Sequence, residues 1–380
     1  MLDRFRDLVS NRHQYAQEWK AKTGGKVLGY LCCYMPEEVA YAGGILPVRI
    51  ISNNEPQEFS SVYMASFFCP FSRDCLGEGL SGRYHYLDGI TVGHTCVQIN
   101  QTFESWVLHV PTPYSYYIPI PGIAEANSLK PILADELADF QGTLEELTGK
   151  TISGDDLQRA IDVYDTNRRL LREIYELRKA DPPLISGAET MDVVLSSMFC
   201  DKAEHNQWLE ELIRYLPQRP DPPPPGPRLM VVGGENHDTT LLRLIEAQGA
   251  NIVVDDLCMG SRYFWNLTPP DSNPLMAIAS RYVDKPSCPV KDIGNKGTDP
   301  TQRPRYRHII KLAQDYKVQG AFLVYQKFCH PQELDIPSLK KIFDQLNLPT
   351  CVLELDTTLA EGPTKTRAQA FLEMMELEVV

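Results

Sequence analysis

The sequence predicts an α/β protein with two parallel-sheet domains and an added helical segment between them. Short apolar runs alternate with amphipathic stretches in both outer parts of the chain, whereas the middle part has apolar residues only at helical spacing. Helices between consecutive strands imply parallel pairing, because parallel strands need a crossover connection. We therefore expect an N-terminal α/β domain at residues 1–127, a helical segment at 128–216, a proline-rich linker at 217–227 and a C-terminal α/β domain at 228–380.

The N-terminal domain opens with a charged segment, residues 1–20, which predicts one amphipathic helix. This segment has no apolar core, so we expect no secretory signal. A helix is predicted at PEEVAYAGG, because Pro36 lies in its first turn, Glu37 and Glu38 lie at its positive end, and glycines close it. The four strands predicted in this domain are KVLGYLCCYMP, LPVRII, YLDGITVG and YYIPIPG.

The middle and C-terminal parts follow from similar signals. Ser153 and Asp156 have the spacing of a helix-start motif, and the proline run that follows the helices predicts a stiff connector. After it we expect strand, helix and strand, then an irregular region at Leu257–Asp299, and then helix, strand, helix, strand and helix. The strands are RLMVVGG, ANIVVDD, VQGAFLVYQ and PTCVLELD, and the last three helices are YRHIIKLAQDYK, PSLKKIFDQLN and KTRAQAFLEMMELE.

The composition excludes several classes of protein. With 380 residues, 43% hydrophobic and 23% charged, the chain can build two cores. The net charge of −13 argues against a nucleic-acid-binding surface, and no apolar run is long enough to cross a membrane. Ten cysteines without an export signal predict free thiols in a reducing cytoplasm.

Three of these cysteines, Cys69, Cys96 and Cys329, each follow a stretch that resembles a strand or its exit. The first two are close in sequence, and the third lies in the second domain. Three thiolates brought together from two domains suggest a cofactor in the cleft between them. An iron–sulfur cluster with three cysteine ligands and one open iron fits this pattern.

Two other uses of these cysteines stay open. Cys69, Cys75, Cys96 and His94 offer four zinc ligands, although no pair has the short CxxC spacing. Cys–His nucleophilic pairs at Cys329–His330 or His94–Cys96 are a further alternative, but adjacent side chains in a strand point apart. Four of the other cysteines are expected to pack in apolar cores: Cys32, Cys33, Cys200 and Cys351. Cys258 is expected near the cleft, and Cys75 and Cys288 stay unassigned.

Two short motifs resemble phosphate sites. GGENHD, residues 233–238, lacks the full G-x-G-x-x-G, so the preferred interpretation is a turn in which Asn236 or Asp238 caps a helix. TGKT, residues 148–151, lacks the upstream glycine of a P-loop, because position 144 is Leu. We therefore expect no ATP hydrolysis by this chain through such a motif.

Several ordered motifs together resemble the 2-hydroxyacyl-CoA dehydratase/benzoyl-CoA reductase family from about residue 26 onward. They are GYLCCYMPEEVAYAGGILPVRI, CPFSR, LDGITVGHTC, VVDDLCMGSRYFW, FLVYQKFCHP and LPTCVLELDTTLAEGPTKTRAQAFLEMM. The resemblance implies two Rossmann- or flavodoxin-like domains and an iron–sulfur cluster, [4Fe–4S] or part of a double-cubane cluster, held by Cys69, Cys96 and Cys329. It also implies a homologous partner subunit, a separate ATP-hydrolysing iron–sulfur activator that supplies low-potential electrons, and an acyl-CoA substrate.

The family resemblance leaves the reaction open. Dehydratase members often carry Asp after the second ligand cysteine, where this chain has Val97. This favours a benzoyl-CoA reductase-type subunit. The alternatives are a 2-hydroxyacyl-CoA dehydratase subunit, a homodimeric double-cubane reductase of small molecules, or a relay subunit without catalysis. Arg49, Arg73 and Arg262 are candidate anchors for CoA phosphates, although their ordinary role is in ion pairs.

Overall fold

The computed structural model describes residues 1–55, 59–120, 128–292 and 299–378, and its strands form two fully parallel four-stranded sheets. The strands are β1 (Lys26–Tyr30), β2 (Ile45–Arg49), β3 (Gly89–Gly93), β4 (Tyr114–Ile118), β5 (Arg228–Gly233), β6 (Asn251–Asp256), β7 (Gly320–Gln326) and β8 (Thr350–Leu355). The strand order is β2-β1-β3-β4 in the first sheet and β6-β5-β7-β8 in the second. The predicted α/β fold with two Rossmann-like parallel sheets is confirmed.

Helices surround both sheets. They are α1 (Asp3–Ser10), α2 (Arg12–Thr23), α3 (Glu37–Ala42), α4 (Pro70–Leu80), α5 (Val97–His109), α6 (Leu129–Thr148), α7 (Gly154–Leu177), α8 (Gly187–Ser196), α9 (Lys202–Tyr215), α10 (Thr239–Glu246), α11 (Ser261–Phe264), α12 (Pro274–Val283), α13 (Pro304–Asp315), α14 (His330–Gln345) and α15 (Glu361–Glu378). Short 3-10 turns lie at Phe59–Val62, Leu216–Gln218 and Pro300–Gln302. Among these helices, none has the length and apolar character needed to span a bilayer.

Helices α6 to α9 form the predicted helical segment and contact elements from both halves of the chain. Helix α6 packs on β4 and α12, and α7 packs on α3 and α9. The start of α7 is the predicted one, because the Ser153 hydroxyl accepts from the Asp156 amide while the Asp156 carboxylate accepts from the Ser153 amide. The domain boundaries at residues 127, 216 and 227 stay a prediction.

The structure corrects four sequence-based expectations. The predicted first helix is two helices, because the backbone leaves helical geometry at Asn11 (φ −103°, ψ 22°). The region Leu257–Asp299 was wrongly predicted as irregular: it contains α12, whose start is capped by Asn273 and begins with Pro274. Helix α14 begins seven residues before Pro337, which lies inside it. The predicted fourth strand begins earlier, at β4, and its predicted end, residues 121–122, lies outside the described residues.

In each sheet the chain reverses its direction of strand addition once. The reversal lies between β1 and β3 in the first sheet and between β5 and β7 in the second. In open parallel sheets the loops that leave the two strands at such a point part from each other, and ligands bind in the crevice between them at the carboxyl ends. The fold therefore has two crevices of this kind.

Candidate metal centre

The segments that follow these reversal points line a single cavity of about 430 Å³. Residues after β1, β3, β5 and β7 all contribute to its wall. Six of the chain's ten cysteines line it: Cys32, Cys69, Cys96, Cys258, Cys288 and Cys329. Much of the remaining wall is apolar, and Val97 (74% exposed) and Leu334 (79% exposed) lie at its open side. The two sheets thus share one thiol-rich, largely apolar cavity.

The three cysteines predicted from the sequence all lie on this wall, and each occupies the residue before the first turn of a helix. Cys69 precedes α4, Cys96 precedes α5 and Cys329 precedes α14. A helix start carries unpaired backbone N–H groups and a partial positive charge, which favour a thiolate. At Cys96 the contact is direct, since its Sγ accepts from the Ile99 amide at 3.4 Å.

The surroundings of Cys69 differ from the expectation that a strand precedes it. A 3-10 turn and bends lead into this residue, and its place is fixed by hydrogen bonds to the backbone. The Ser72 and Arg73 amides donate to its carbonyl oxygen at 3.1 and 3.2 Å, and the Ser72 hydroxyl donates to the same oxygen at 2.9 Å. Pro70 opens the following helix, where its missing N–H leaves no donor unpaired.

The three thiols also share one electrostatic environment. Burial raises the pKa of Cys96 to about 12, and the nearby Cys69 thiol adds to this effect. Burial also raises the pKa of Cys329, with the thiols of Cys69 and Cys96 acting in the same direction. Each thiol therefore resists losing its proton beside the others, and binding of a cation would remove this penalty.

Three further cysteines reach the same cavity, and sequence reasoning assigned them differently. Cys258, which was expected near the cleft, lines the wall, as does the unassigned Cys288. Cys32 was expected to pack in a core; it is buried, but it also faces the cavity. Next to it, the neighbouring thiols of Cys258 and Cys32 lower the pKa of Cys33. One signal could have indicated that Cys32 faces the cavity: it lies two residues after β1, where the direction of strand addition reverses.

Buried charges lie behind this wall. Arg49 donates to the Glu235 carboxylate at 2.9 Å, and Arg262 donates to the Asp256 carboxylate at 2.6 Å. Both arginines are therefore in internal ion pairs, their ordinary role, rather than free for CoA phosphates. Two nitrogens of Arg49, Nε and Nη1, are buried without a hydrogen-bond partner among the described residues. Such donors lie well placed to offset negative charge in the cavity.

The alternative zinc site is not assembled. Cys75 is fully buried with its Sγ 3.8 Å from the Ile50 carbonyl oxygen and does not line the cavity, so the four-ligand zinc set is wrong. Within the ranges that the structure describes, no three His, Cys, Asp or Glu side chains are placed to hold a single metal ion.

The two motifs that resemble phosphate sites have structural roles. TGKT lies at the end of α6, with Gly149 in the left-handed region at φ 68°. Asp238 of GGENHD caps α10, as the preferred interpretation predicted.

An iron–sulfur cluster nevertheless suits these residues. A cluster distributes its thiolate ligands over several iron atoms, so the sulfurs need not converge on one point. The wall supplies thiols in excess, is lined largely by apolar atoms, and is backed by the unpartnered guanidinium nitrogens of Arg49. These are the ligand type, the apolar surroundings and the positive charge that suit a sulfide-rich, anionic cluster.

Fold and cavity define a class of α/β proteins with two parallel sheets and a thiol-lined cleft between them. Residues 32–375 match the sequence profile of the family described as 2-hydroxyglutaryl-CoA dehydratase, D-component, and the chain belongs to this family.

Curated relatives match over nearly their whole lengths. The chain is 26% identical to the (R)-phenyllactyl-CoA dehydratase beta subunit of Clostridium sporogenes, covering 98% of this chain and 97% of the relative. It is 26% identical to the beta subunit of (R)-2-hydroxyglutaryl-CoA dehydratase of Acidaminococcus fermentans, covering 99% of each. It is 25% identical to one of the subunits of the benzoyl-CoA reductase of Thauera aromatica, covering 95% of this chain and 94% of the relative.

Proposed function

We propose that this chain is the iron–sulfur subunit of an oxidoreductase that uses low-potential electrons. One observation carries the proposal: six cysteines line a single cavity at the reversal points of two parallel sheets. Free cysteines are commonly buried singly as small apolar residues, so their concentration on one wall calls for a ligand. Family membership supports an enzyme subunit of the dehydratase/reductase type without separating oxidoreductase from lyase.

Cys69, Cys96 and Cys329 are the proposed ligands of the cluster. When bound, a cluster of this kind supplies one-electron transfer at a potential set by its charge, hydrogen bonds and exposure to solvent. The protein's part is to hold the thiols at three helix starts, to keep the cavity dry, and to place Arg49 behind it. Cys96 and Cys329 come from different sheets, so the cluster would also join the two halves.

The first candidate reaction is reduction of an acyl-CoA thioester of the benzoyl-CoA type. Val97 after the second ligand cysteine supports it, and one relative belongs to a benzoyl-CoA reductase. A 2-hydroxyacyl-CoA dehydratase subunit stays an alternative, because two relatives that are about as similar to the chain are dehydratase beta subunits. Identities of 25% and 26% do not separate the two reactions.

A second candidate, a double-cubane reductase of small molecules, is favoured by the additional thiols. Each half of the chain supplies three cysteines to the wall: Cys32, Cys69 and Cys96 from the first, and Cys258, Cys288 and Cys329 from the second. Two joined cubanes need twice the ligands of one cluster, and this wall offers them. The thiol count therefore favours this branch over a single cluster, while both candidates remain reductases.

A partner subunit belongs to the proposal. The relatives are named as subunits of larger enzymes. Large apolar side chains are exposed on the segments 59–67 and 97–109, which are joined by a contact between the rings of Tyr63 and His109, with centroids 4.1 Å apart. Phe59, Val62 and Leu108 are 62%, 77% and 73% exposed, which is typical of a surface that another chain covers. We propose a homologous subunit, or a second copy for the double-cubane branch, and a separate ATP-hydrolysing activator in the cytoplasm.

The test is anaerobic purification followed by iron and acid-labile sulfide analysis and identification of co-purifying chains. About four iron atoms per chain indicate one [4Fe–4S] cluster, and about eight indicate two joined cubanes. The loaded protein is then given activator, ATP and reductant with benzoyl-CoA, a 2-hydroxyacyl-CoA or acetylene in parallel. Turnover of benzoyl-CoA or acetylene supports the respective reductase, turnover of the hydroxy thioester alone supports the dehydratase, and protein without iron overturns the proposal.

A further inference from the structure

One side-chain amide connects the segments that carry the three proposed ligands. Gln98 lies in the first turn of α5, two residues after Cys96, and it is 7% exposed on the cavity wall. Its Oε1 accepts from the backbone amide of Cys69 at 2.7 Å. Its Nε2 donates to the backbone carbonyl of Phe328, next to Cys329, at 2.7 Å. The second contact joins residues 230 positions apart, from opposite sheets.

The chemistry of these two contacts requires an amide. The group contacted on Cys69 is a backbone N–H donor, and the group contacted on Phe328 is a backbone carbonyl acceptor. The side chain at position 98 must therefore accept at one end and donate at the other. The same requirement fixes which end of the amide is oxygen. A carboxylate can serve only the first contact, an apolar side chain serves neither, and asparagine is one methylene shorter.

The receiving backbone has an unusual conformation. Phe328 has φ 63°, in the left-handed region that residues with a Cβ rarely adopt. Its carbonyl oxygen accepts from Gln98 and also from the His330 amide at 3.1 Å. Such a conformation persists only where the surroundings hold it, and here it turns the chain immediately before Cys329 into α14.

We propose that Gln98 is a positioning residue that fixes Cys69 and Cys329 relative to Cys96. Cys96 lies in the same helix start as Gln98. Gln98 holds Cys69 through the backbone amide of Cys69, and it holds Cys329 through the backbone carbonyl of the preceding residue, Phe328. One side chain therefore sets the spacing of three thiols from two sheets. The inference rests on the proposed function only for what those thiols bind, since the two hydrogen bonds of Gln98 belong to the protein alone.

The first measurement needs no iron. Hydrogen exchange is followed in the reduced apo-protein for peptides that contain Cys69 and residues 328–330, in wild type, Gln98→Met and Gln98→Glu. We expect about 10-fold faster exchange of the Cys69 amide in Gln98→Met, because its acceptor is gone. Gln98→Glu keeps that acceptor and should affect mainly residues 328–330. Gln141→Met on α6, which loses part-buried contacts to Ile152 and Glu145 away from the cavity, is the matched control.

The second measurement uses the loaded protein. Loss of iron to a chelator should be about 10-fold faster in Gln98→Met than in wild type, within the range usual for residues that orient metal ligands. The midpoint potential and the electron paramagnetic resonance spectrum should also change, whereas in Gln141→Met both should match wild type. Gln98→Glu provides the test if Gln98→Met does not fold.

The outcomes separate the two proposals. Altered exchange in the variants of a protein whose wild type holds no iron supports Gln98 as a positioning residue and overturns the cluster. Unchanged exchange at Cys69 and at residues 328–330 overturns the positioning role, whether or not iron is present. Iron-loaded variants with wild-type potential and spectrum overturn it as well.

Discussion

The guanidinium of Arg49, at the end of β2, donates to the carboxylate of Glu235, which follows β5, at 2.9 Å. Their side chains are 1% and 15% exposed, so this ion pair joins the two sheets away from bulk water. Both charges also act on the pKa of the Cys32 thiol at the cavity, which Arg49 lowers and Glu235 raises. The pair therefore contributes both to the joining of the halves and to the charge at the cavity.

Replacement of Arg49 should destabilise the protein strongly. We expect Arg49→Met to lower the free energy of unfolding by about 3–5 kcal/mol, because it leaves the Glu235 charge buried and unpaired. Arg159→Met, which removes an exposed ion pair with Asp156, should cost about 0–1 kcal/mol. Denaturant titration of the apo-protein measures both. The double variant Arg49→Met/Glu235→Gln should recover part of the loss, and equal losses in the two single variants would contradict this account.

Removal of each predicted ligand should reduce bound iron. Cys69→Ala, Cys96→Ala and Cys329→Ala, purified without oxygen, should each hold well under half of the wild-type iron, because a cluster that loses one protein ligand dissociates more readily. Cys200→Ala is the control, since this buried thiol contacts the Ser196 carbonyl at 3.3 Å and does not line the cavity. Full iron in all three variants would refute the assignment.

The additional thiols permit a separate test. If two joined cubanes are present, Cys32→Ala, Cys258→Ala and Cys288→Ala should also lose iron. Iron per chain should then fall from about eight atoms toward four or fewer. Cys351→Ala, at a half-exposed site on β8, should retain the wild-type amount. Wild-type iron in the three cavity variants would restrict the centre to Cys69, Cys96 and Cys329.

Stability should depend on pH through Asp74. Burial raises the pKa of this carboxyl to about 7, although the Thr357 hydroxyl and Arg73 act in the opposite direction. The folded state therefore favours the protonated form, and this contribution to stability is complete below about pH 4 and is lost as the pH rises through 7.

Comparison with an asparagine variant isolates this effect. As the pH rises from about 4 to about 8, the free energy of unfolding of Asp74→Asn should increase relative to that of wild type, as measured by denaturant titration. Asp139→Asn, at an exposed position on α6, is the control variant. A constant difference for Asp74→Asn would show that its carboxyl titrates normally.

Most of the fold could be predicted from the sequence. Alternating apolar runs and helix signals predicted both sheets, and the Ser153–Asp156 spacing located the start of α7. The signals for α12 were also present, as Asn273 followed by Pro274, but the many Pro, Gly and Asn residues around them indicated irregular structure. The break at Asn11 also had a local signal, since Ser10 and Asn11 are residue types that favour helix starts, but the charged residues on both sides indicated one helix.

The candidate site was predictable in part. Cys96 and Cys329 follow β3 and β7 closely, so each could be placed at the carboxyl edge of its own sheet, but strand pairing does not reveal that the two edges face each other. Cys69 was also predicted from a strand-like stretch before it, but no strand precedes it in the structure, so the family resemblance is the firmer signal for this residue. Gln98 could not be recognised, because its role depends on a contact with Phe328, and no local pattern reports a contact over 230 positions.

The cavity wall is divided between distant parts of the chain, and this sets an order of events during synthesis. The first sheet is complete once residue 118 has left the ribosome, yet Gln98 then has no Phe328 to contact and Arg49 has no Glu235. The wall closes only after β7 and the start of α14 have been made. Until then Cys69 and Cys96 lack Cys329, so a cofactor that needs all three thiols finds its full set of protein ligands only after translation has passed residue 329.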